Sequence, residues 1–169
     1  MRLWLITDTH FRDKALGEHC GRPPDFDKRI IAAWRRCVQP TDTIIHLGDI
    51  GMHDPAWAHE QLRTLPGKKI LTLGNHDKHS WTWYMSNGWD TVCETMSLNR
   101  YGQRWLFSHK PQPDLGYFDI NVHGHFHNNP PEQWETALRE RVTDKHRLLV
   151  LENVGYQPTL LHHLLRKEE

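Results

Sequence analysis

Three times in its first half the chain repeats one unit: a short apolar run sized for a buried strand, a polar turn, then a helical pattern. The runs are Leu3 to Thr7, Thr43 to Leu47 and Lys69 to Leu73. After the first, Asp25 offers an N-cap, and Phe26, Ile30, Trp34, Cys37 and Val38 recur at helical spacing until Pro40. After the second, Asp54-Pro55 is an N-cap with proline at the first helical position, and Trp57, Ala58, Leu62 and Leu65 make an inner face before Pro66-Gly67. Such alternation predicts βαβ units with parallel strands, hence an α/β protein. It also constrains function, because each run ends in donor-type side chains: Asp8-Thr9-His10, Gly48-Asp49 and Gly74-Asn75-His76-Asp77. Ligands of open α/β sheets bind beyond the carboxyl ends of the strands, and residues two apart in extended chain point the same way, so Asp8 and His10 can reach one point. Arg12 to Pro24 has no apolar period and carries Gly17, Gly21 and two prolines, so a loop is expected there.

The second half changes pattern. Lys78 to Trp89 is an aromatic-rich, partly helical segment that either stacks a nucleobase or aryl leaving group or caps the apolar edge of the sheet. Thr91 to Leu98 and Gln103 to Ser108, joined across Asn99 to Gly102, predict an antiparallel hairpin that delivers His109 and Lys110. Ile120 to Val122 is a short strand before His123-Gly124-His125-Phe126-His127. Pro131 opens a solvated helix around Glu132 to Arg141, Leu148 to Leu151 is a last buried strand, and Thr159 to Leu165 a terminal helix or strand.

At 169 residues the simplest organisation is one domain, residues 1–169, burying about two-thirds of its unfolded surface. Lys plus Arg equals Asp plus Glu at 21 each, so no net field draws the chain to nucleic acid or a membrane surface. No apolar run reaches membrane-spanning length. Cys20, Cys37 and Cys93 follow no metal or redox spacing, which suits free thiols in a reducing cytosol, and a cytoplasmic protein is expected. Without a cysteine pair the clustered histidines do not make a zinc finger. The mixed nitrogen and oxygen donors suit Mn, Fe, Zn, Co or Ni better than Ca or Mg.

In order, Asp-x-His, Gly-Asp, Gly-Asn-His-Asp, His and Gly-His-x-His resemble the calcineurin-like metallophosphoesterase family, with matching order and spacing to about Pro158. The pattern is most similar to its short single-domain branch of bacteria and phages, whose closing strand Glu152 to Pro158 resembles. The resemblance implies a two-sheet sandwich flanked by helices, the αββα fold, with two divalent metal ions, manganese first and Fe, Zn, Ni or Co as alternatives. It implies that Asp8, His10 and His127 hold one ion and Asn75, His109 and His125 the other, with Asp49 bridging and a metal-bridging hydroxide as nucleophile. His76, oriented by Asp77, then stabilises the phosphoryl oxygens or protonates the leaving alkoxide; His46 and His123 either support the site from behind or merely fill space near it. The implied activity is hydrolysis of phosphodiesters, or phosphomonoesters, of small or nucleotide-like substrates; the rival is a non-catalytic metal-binding interaction scaffold on the same fold. One departure stands out: Asp49 is followed by Ile50-Gly51-Met52-His53-Asp54 rather than the x-x-Asp-Arg of many family phosphatases. Arg12, His53 and Lys110 are the candidate phosphate contacts in place of that arginine.

Overall fold

The computed structural model describes residues 1–128, 132 and 135–165. In chain order the elements are β1 (Leu3–Ile6), α1 (Lys14–His19), α2 (Phe26–Cys37), β2 (Thr43–His46), α3 (Pro55–Arg63), β3 (Lys68–Thr72), α4 (Trp81–Ser86), β4 (Thr91–Cys93), β5 (Thr95–Arg100), β6 (Gln103–Ser108), β7 (Ile120–His123), α5 (Thr136–Arg139), β8 (His146–Leu148) and β9 (Thr159–Leu160). A 3₁₀ helix, Leu161–Leu165, follows. They build two mixed sheets flanked by helices: β4-β3-β2-β1-β9, in which only β9 is antiparallel to its neighbour, and β5-β6-β7-β8, in which only β5 is. Among the described residues no helix is long and apolar enough to cross a membrane.

Alternation along β1 explains the layering. Trp4 and Ile6 join the helix-side cluster with Ile30, Trp34, Ala58, Leu62 and Leu71. Leu3 and Leu5 face the second sheet and pack with Ile45, Ile70, Trp105, Phe107 and Val122. Ile6 pairs with His46 and His46 with Leu71, so the carboxyl ends of β1, β2 and β3 are level. Ser108 pairs with His123, which levels β6 and β7 too. Five strand ends thus open toward one region because two parallel registers coincide.

The structure corrects several expectations. The supposed loop after Arg12 contains α1, nucleated by Asp13, whose side chain accepts from Leu16 N at 3.0 Å; six residues are too few to show an apolar period. The expected single strand from Thr91 to Leu98 is two strands: β4 pairs in parallel with β3 in the first sheet, and after Glu94 the chain passes to the second sheet as β5. No glycine or proline marks that crossing. β8 ends at Leu148, and Leu149 to Leu151 are buried outside a strand because Leu149 fills the inter-sheet core while Leu151 fills the helix-side core. Residues 152–158 form a turn rather than a strand, with Asn153 N bonded to Val150 O and Tyr156 N to Leu151 O. Of the helix expected from Glu132 to Arg141, α5 is present; Pro131, at its predicted start, lies outside the described residues. In the aromatic segment Tyr84 and Trp89 are buried in the helix-side core, while Trp81 and Met85 are exposed.

Candidate metal centre

Four donor-bearing residues take left-handed backbone angles that non-glycine residues rarely adopt: Asp8 at φ +49°, His10 at +42°, Asp49 at +58° and His125 at +72°. Each costs on the order of 1 kcal/mol, so the surrounding contacts must enforce them. Asp8 N and His10 N donate to Gly48 O (3.0 Å) and Asp49 O (3.1 Å), extending the β1–β2 pairing into the turns. His125 N donates to Asp8 Oδ2 at 3.0 Å, joining the second sheet's turn to the first. Two glycines permit the close approach: a side chain at Gly74 would overlap the Asp49 carboxylate, and one at Gly124 would overlap Thr7 Oγ1 and Asp8 Oδ2.

Seven of the predicted site residues form two adjoining groups. In the first, His109 Nε2 lies 3.0 Å from Asn75 Oδ1, 3.1 Å from His125 Nδ1 and 3.2 Å from Asp49 Oδ2. His109 Nδ1 is 2.9 Å from Leu47 O; donating its proton there leaves Nε2 free to act as a donor atom. In the second, Asp8 Oδ1 lies 3.8 Å from His10 Nε2 and 3.9 Å from His127 Nε2. Asp49 Oδ2 is also 3.6 Å from His10 Nε2, so this oxygen stands between the groups. Its other oxygen accepts from His76 N at 2.8 Å.

These groups fit cations. Asp8 Oδ1 and both ring nitrogens of His10 are buried without a hydrogen-bond partner among the described residues, an expensive arrangement unless something else satisfies them. Donor atoms about 2.0 to 2.2 Å from one ion stand roughly 3 to 3.6 Å apart, close to the separations within both groups. Electrostatics agrees. Burial opposes the charged form of Asp8, but His10, His109 and His127 outweigh it and hold its carboxyl well below the ordinary range. Asp49 is lowered against burial chiefly by His109. Burial would lower His109, yet Asp49 and Asp8 raise it to about 9. His127 is raised to about 10 against burial by Cys20, Glu152 and Asp8. Neighbouring acidic groups thus draw protons onto two imidazoles, and a divalent cation can take the place of those protons.

A model of calcineurin-like phosphoesterases matches residues 1–165. The chain belongs to the calcineurin-like phosphoesterase family. Phosphoesterases of this family use divalent metals, and the two donor groups are its candidate metal-binding residues here. The uncharacterized protein MJ1445 of Methanocaldococcus jannaschii is 26% identical over 169 residues, covering 95% of this chain and 87% of that one. The crystal structure of AQ665, a protein of unknown function from Aquifex aeolicus, shares the fold with TM-score 0.75, 24% identity and 96% coverage of both chains. A structure described as a novel archaeal phosphodiesterase aligns with TM-score 0.52 and 19% identity over 89% of this chain and 82% of that one.

In this member of the family the remaining predicted residues are placed differently. Asp77 does not face the His76 ring: its carboxylate accepts from Asp49 N (2.8 Å), Gly74 N (2.8 Å) and Ile50 N (3.1 Å), binding two turns together. This corrects the expectation that Asp77 orients His76, whose Nδ1 is instead 3.2 Å from Met52 Sδ. The His76 ring stands edge-on to His10 at 5.5 Å. Arg12 is tied to Asp54 Oδ2 at 2.8 Å and lies over Trp57, and His53 is exposed beside Asp13 at 3.5 Å. Lys110 is close enough for its charge to help lower His125, which burial first of all brings down to about 3. His46 accepts from Gly48 N at 3.1 Å on Nδ1, so Nε2 carries the proton to Thr9 Oγ1 at 3.0 Å, directly beneath the Asp8–His10 turn. His123 Nδ1 is 3.0 Å from Gly124 O. Sequence reasoning missed Arg22 and Glu152, which are joined beneath the same turn; Arg22 sits in the stretch expected to be a loop, and no local signal marks either.

Proposed function

We propose that this chain is a hydrolase of phosphodiesters of small or nucleotide-like substrates, working with two divalent ions. The observation that carries the reading is Asp49 Oδ2, one buried carboxylate oxygen set between two complete donor groups. Asp8, His10 and His127 would hold one ion, and Asn75, His109 and His125 the other, with Asp49 shared. When bound, such a pair supplies Lewis acidity to phosphoryl oxygens and makes water acidic enough to attack near neutral pH. His76 is the proton donor to the leaving oxygen: its backbone is pinned to Asp49 and its ring stands partly exposed beside His10, a role typically worth about a hundredfold or more. A diester suits the edge of the site better than a monoester. A monoester brings an extra negative charge, and the Arg12 guanidinium that could meet it is engaged by Asp54.

The test is hydrolysis of a bis-aryl phosphate and of its monoester by protein supplied with Mn, with metal counted per chain. Two equivalents, faster diester cleavage and a drop of ~10²-fold in the His76→Ala variant are expected. Rates equal in wild type and variant would overturn the enzyme reading, and at most one equivalent on a folded chain without turnover would favour the interaction scaffold.

A further inference from the structure

Beneath the Asp8–His10 turn the Arg22 side chain is wholly buried and its guanidinium is directed at named acceptors. Nη2 donates to Asp8 O at 2.8 Å and Nη1 to Thr9 O at 2.9 Å. Nε donates to Glu152 Oε1 at 2.7 Å, and Nη2 lies 2.6 Å from the same oxygen. That oxygen is also 3.3 Å from His127 Nδ1. One fork therefore links the first strand's turn, the His127 ring and a carboxylate 130 residues along the chain from Arg22.

Stability alone is a poor reason to bury this pair. Desolvating two charges costs several kcal/mol each, and well-packed apolar residues of similar volume are often as stable. Two things lie beyond an apolar pair. It cannot tie the carbonyls of Asp8 and Thr9 in a turn held at positive φ, and it cannot accept the Nδ1 proton that leaves His127 Nε2 facing Asp8 Oδ1. Cys20, His127 and Glu152 do place donor atoms within 4.8 Å of one another, which raises the alternative of a separate cation site. The Arg22 guanidinium against Glu152 opposes a cation there and favours an orienting role.

We propose that Arg22 and Glu152 are positioning residues for the Asp8–His10–His127 group, locking the N-terminal turn and the C-terminal carboxylate around one tautomer of His127. The inference rests on the two-ion reading above. Its test is Mn binding by equilibrium dialysis to wild type, Glu152→Leu, Glu152→Gln and Arg22→Met, with ¹⁵N NMR of histidine in the Zn-loaded protein. Wild type should bind two equivalents; Glu152→Leu and Arg22→Met should keep one at wild-type affinity and weaken the other about ten- to hundredfold. Glu152→Gln, whose amide oxygen still accepts from His127, should recover most of the Glu152→Leu loss. The Zn-loaded wild type should show a hydrogen-bonded His127 Nδ1 proton that Glu152→Leu lacks. Two equivalents at full affinity in Glu152→Leu, or equal weakening of both, would overturn the proposal. If that variant fails to fold, the absence of the Nδ1 proton from wild type would overturn it and its presence would uphold it. Wild type binding no metal would sink the two-ion reading itself, an outcome distinct from wild type and Glu152→Leu both binding two.

Discussion

The two donor groups are built by different means. Around His109 the donors sit 3.0 to 3.2 Å apart, and the ring is fixed by a backbone carbonyl, Leu47 O, at the end of a paired strand. Around Asp8 the separations are 3.6 to 3.9 Å, and backbone bonds from Asp8 N and His10 N to the β2 turn are joined by side-chain ties: Arg22, Glu152 and, at 4.0 Å from His10 Nδ1, Asp13. A backbone carbonyl stands in place whatever the side chains are, so the His109 ring is oriented by the fold. The His127 ring and the carbonyls of the Asp8–His10 turn are held instead by two buried charged residues, Glu152 and Arg22, and are correspondingly open to single substitutions.

The largest effect should come where the groups meet. Asp49→Ala removes the shared oxygen, and phosphodiester turnover should fall about a hundred- to a thousandfold or more, with metal content dropping in both groups. Loss confined to one equivalent would show that the groups are independent and break the comparison. Next, Asp77→Ala leaves the N–H groups of Asp49, Ile50 and Gly74 without their acceptor, which should cost roughly 2 to 4 kcal/mol in denaturant unfolding. A variant of normal stability that has lost only turnover would return Asp77 to the role of orienting His76.

A smaller effect is expected from pH on metal-free protein. His46, His59 and His123 are lowered by burial to about 3, about 4 and about 4, so below their unfolded value near 6.5 the unfolded chain binds protons that the folded chain refuses. Each of the three should withdraw on the order of 2 kcal/mol of stability as pH drops from about 6.5 toward 4. His109 and His127 are raised, so their contribution is present below 6.5 and is lost as pH rises toward 9 to 10. Unfolding in urea should therefore show a maximum near pH 6 to 7, and adding Mn should abolish the alkaline decline because ions bind the deprotonated rings. A flat profile would contradict the burial of the first three and the ion pairing of the other two. The smallest effect is assigned to Arg12→Ala: with its guanidinium already engaged by Asp54 and Trp57, KM should rise by at most about tenfold, and a larger loss in kcat would place Arg12 on the reacting phosphate.

Much of the first sheet was legible in the residues. Compact apolar runs and period-3.6 apolar patterns, with Asp25, Asp54 and Pro55 as helix starts, locate β1, α2, β2, α3 and β3, because burial of both faces of a strand and one face of a helix dictates those patterns. The donors were legible for a related reason: side chains that serve a site at strand ends directly follow the strands. Where neighbours far along the chain decide the outcome, local pattern was silent. The passage from β4 to β5 depends on which sheet each edge finds to pair with, and Leu149 and Leu151 satisfy two cores without a strand. Asp77 reads locally as a partner for His76, yet three backbone donors from two turns claim it. Arg22 and Glu152 carry no local mark at all.

By itself, then, the sequence determined the parallel α/β core and which residue types stand at its strand ends, since both follow from spacing along the chain. Only the tertiary structure decided that Asp49 lies between two groups, that Asp77 secures the turns and that Arg22 reaches Glu152. Those are contacts between segments 27 to 130 residues apart, and their geometry exists only once two sheets have packed face to face.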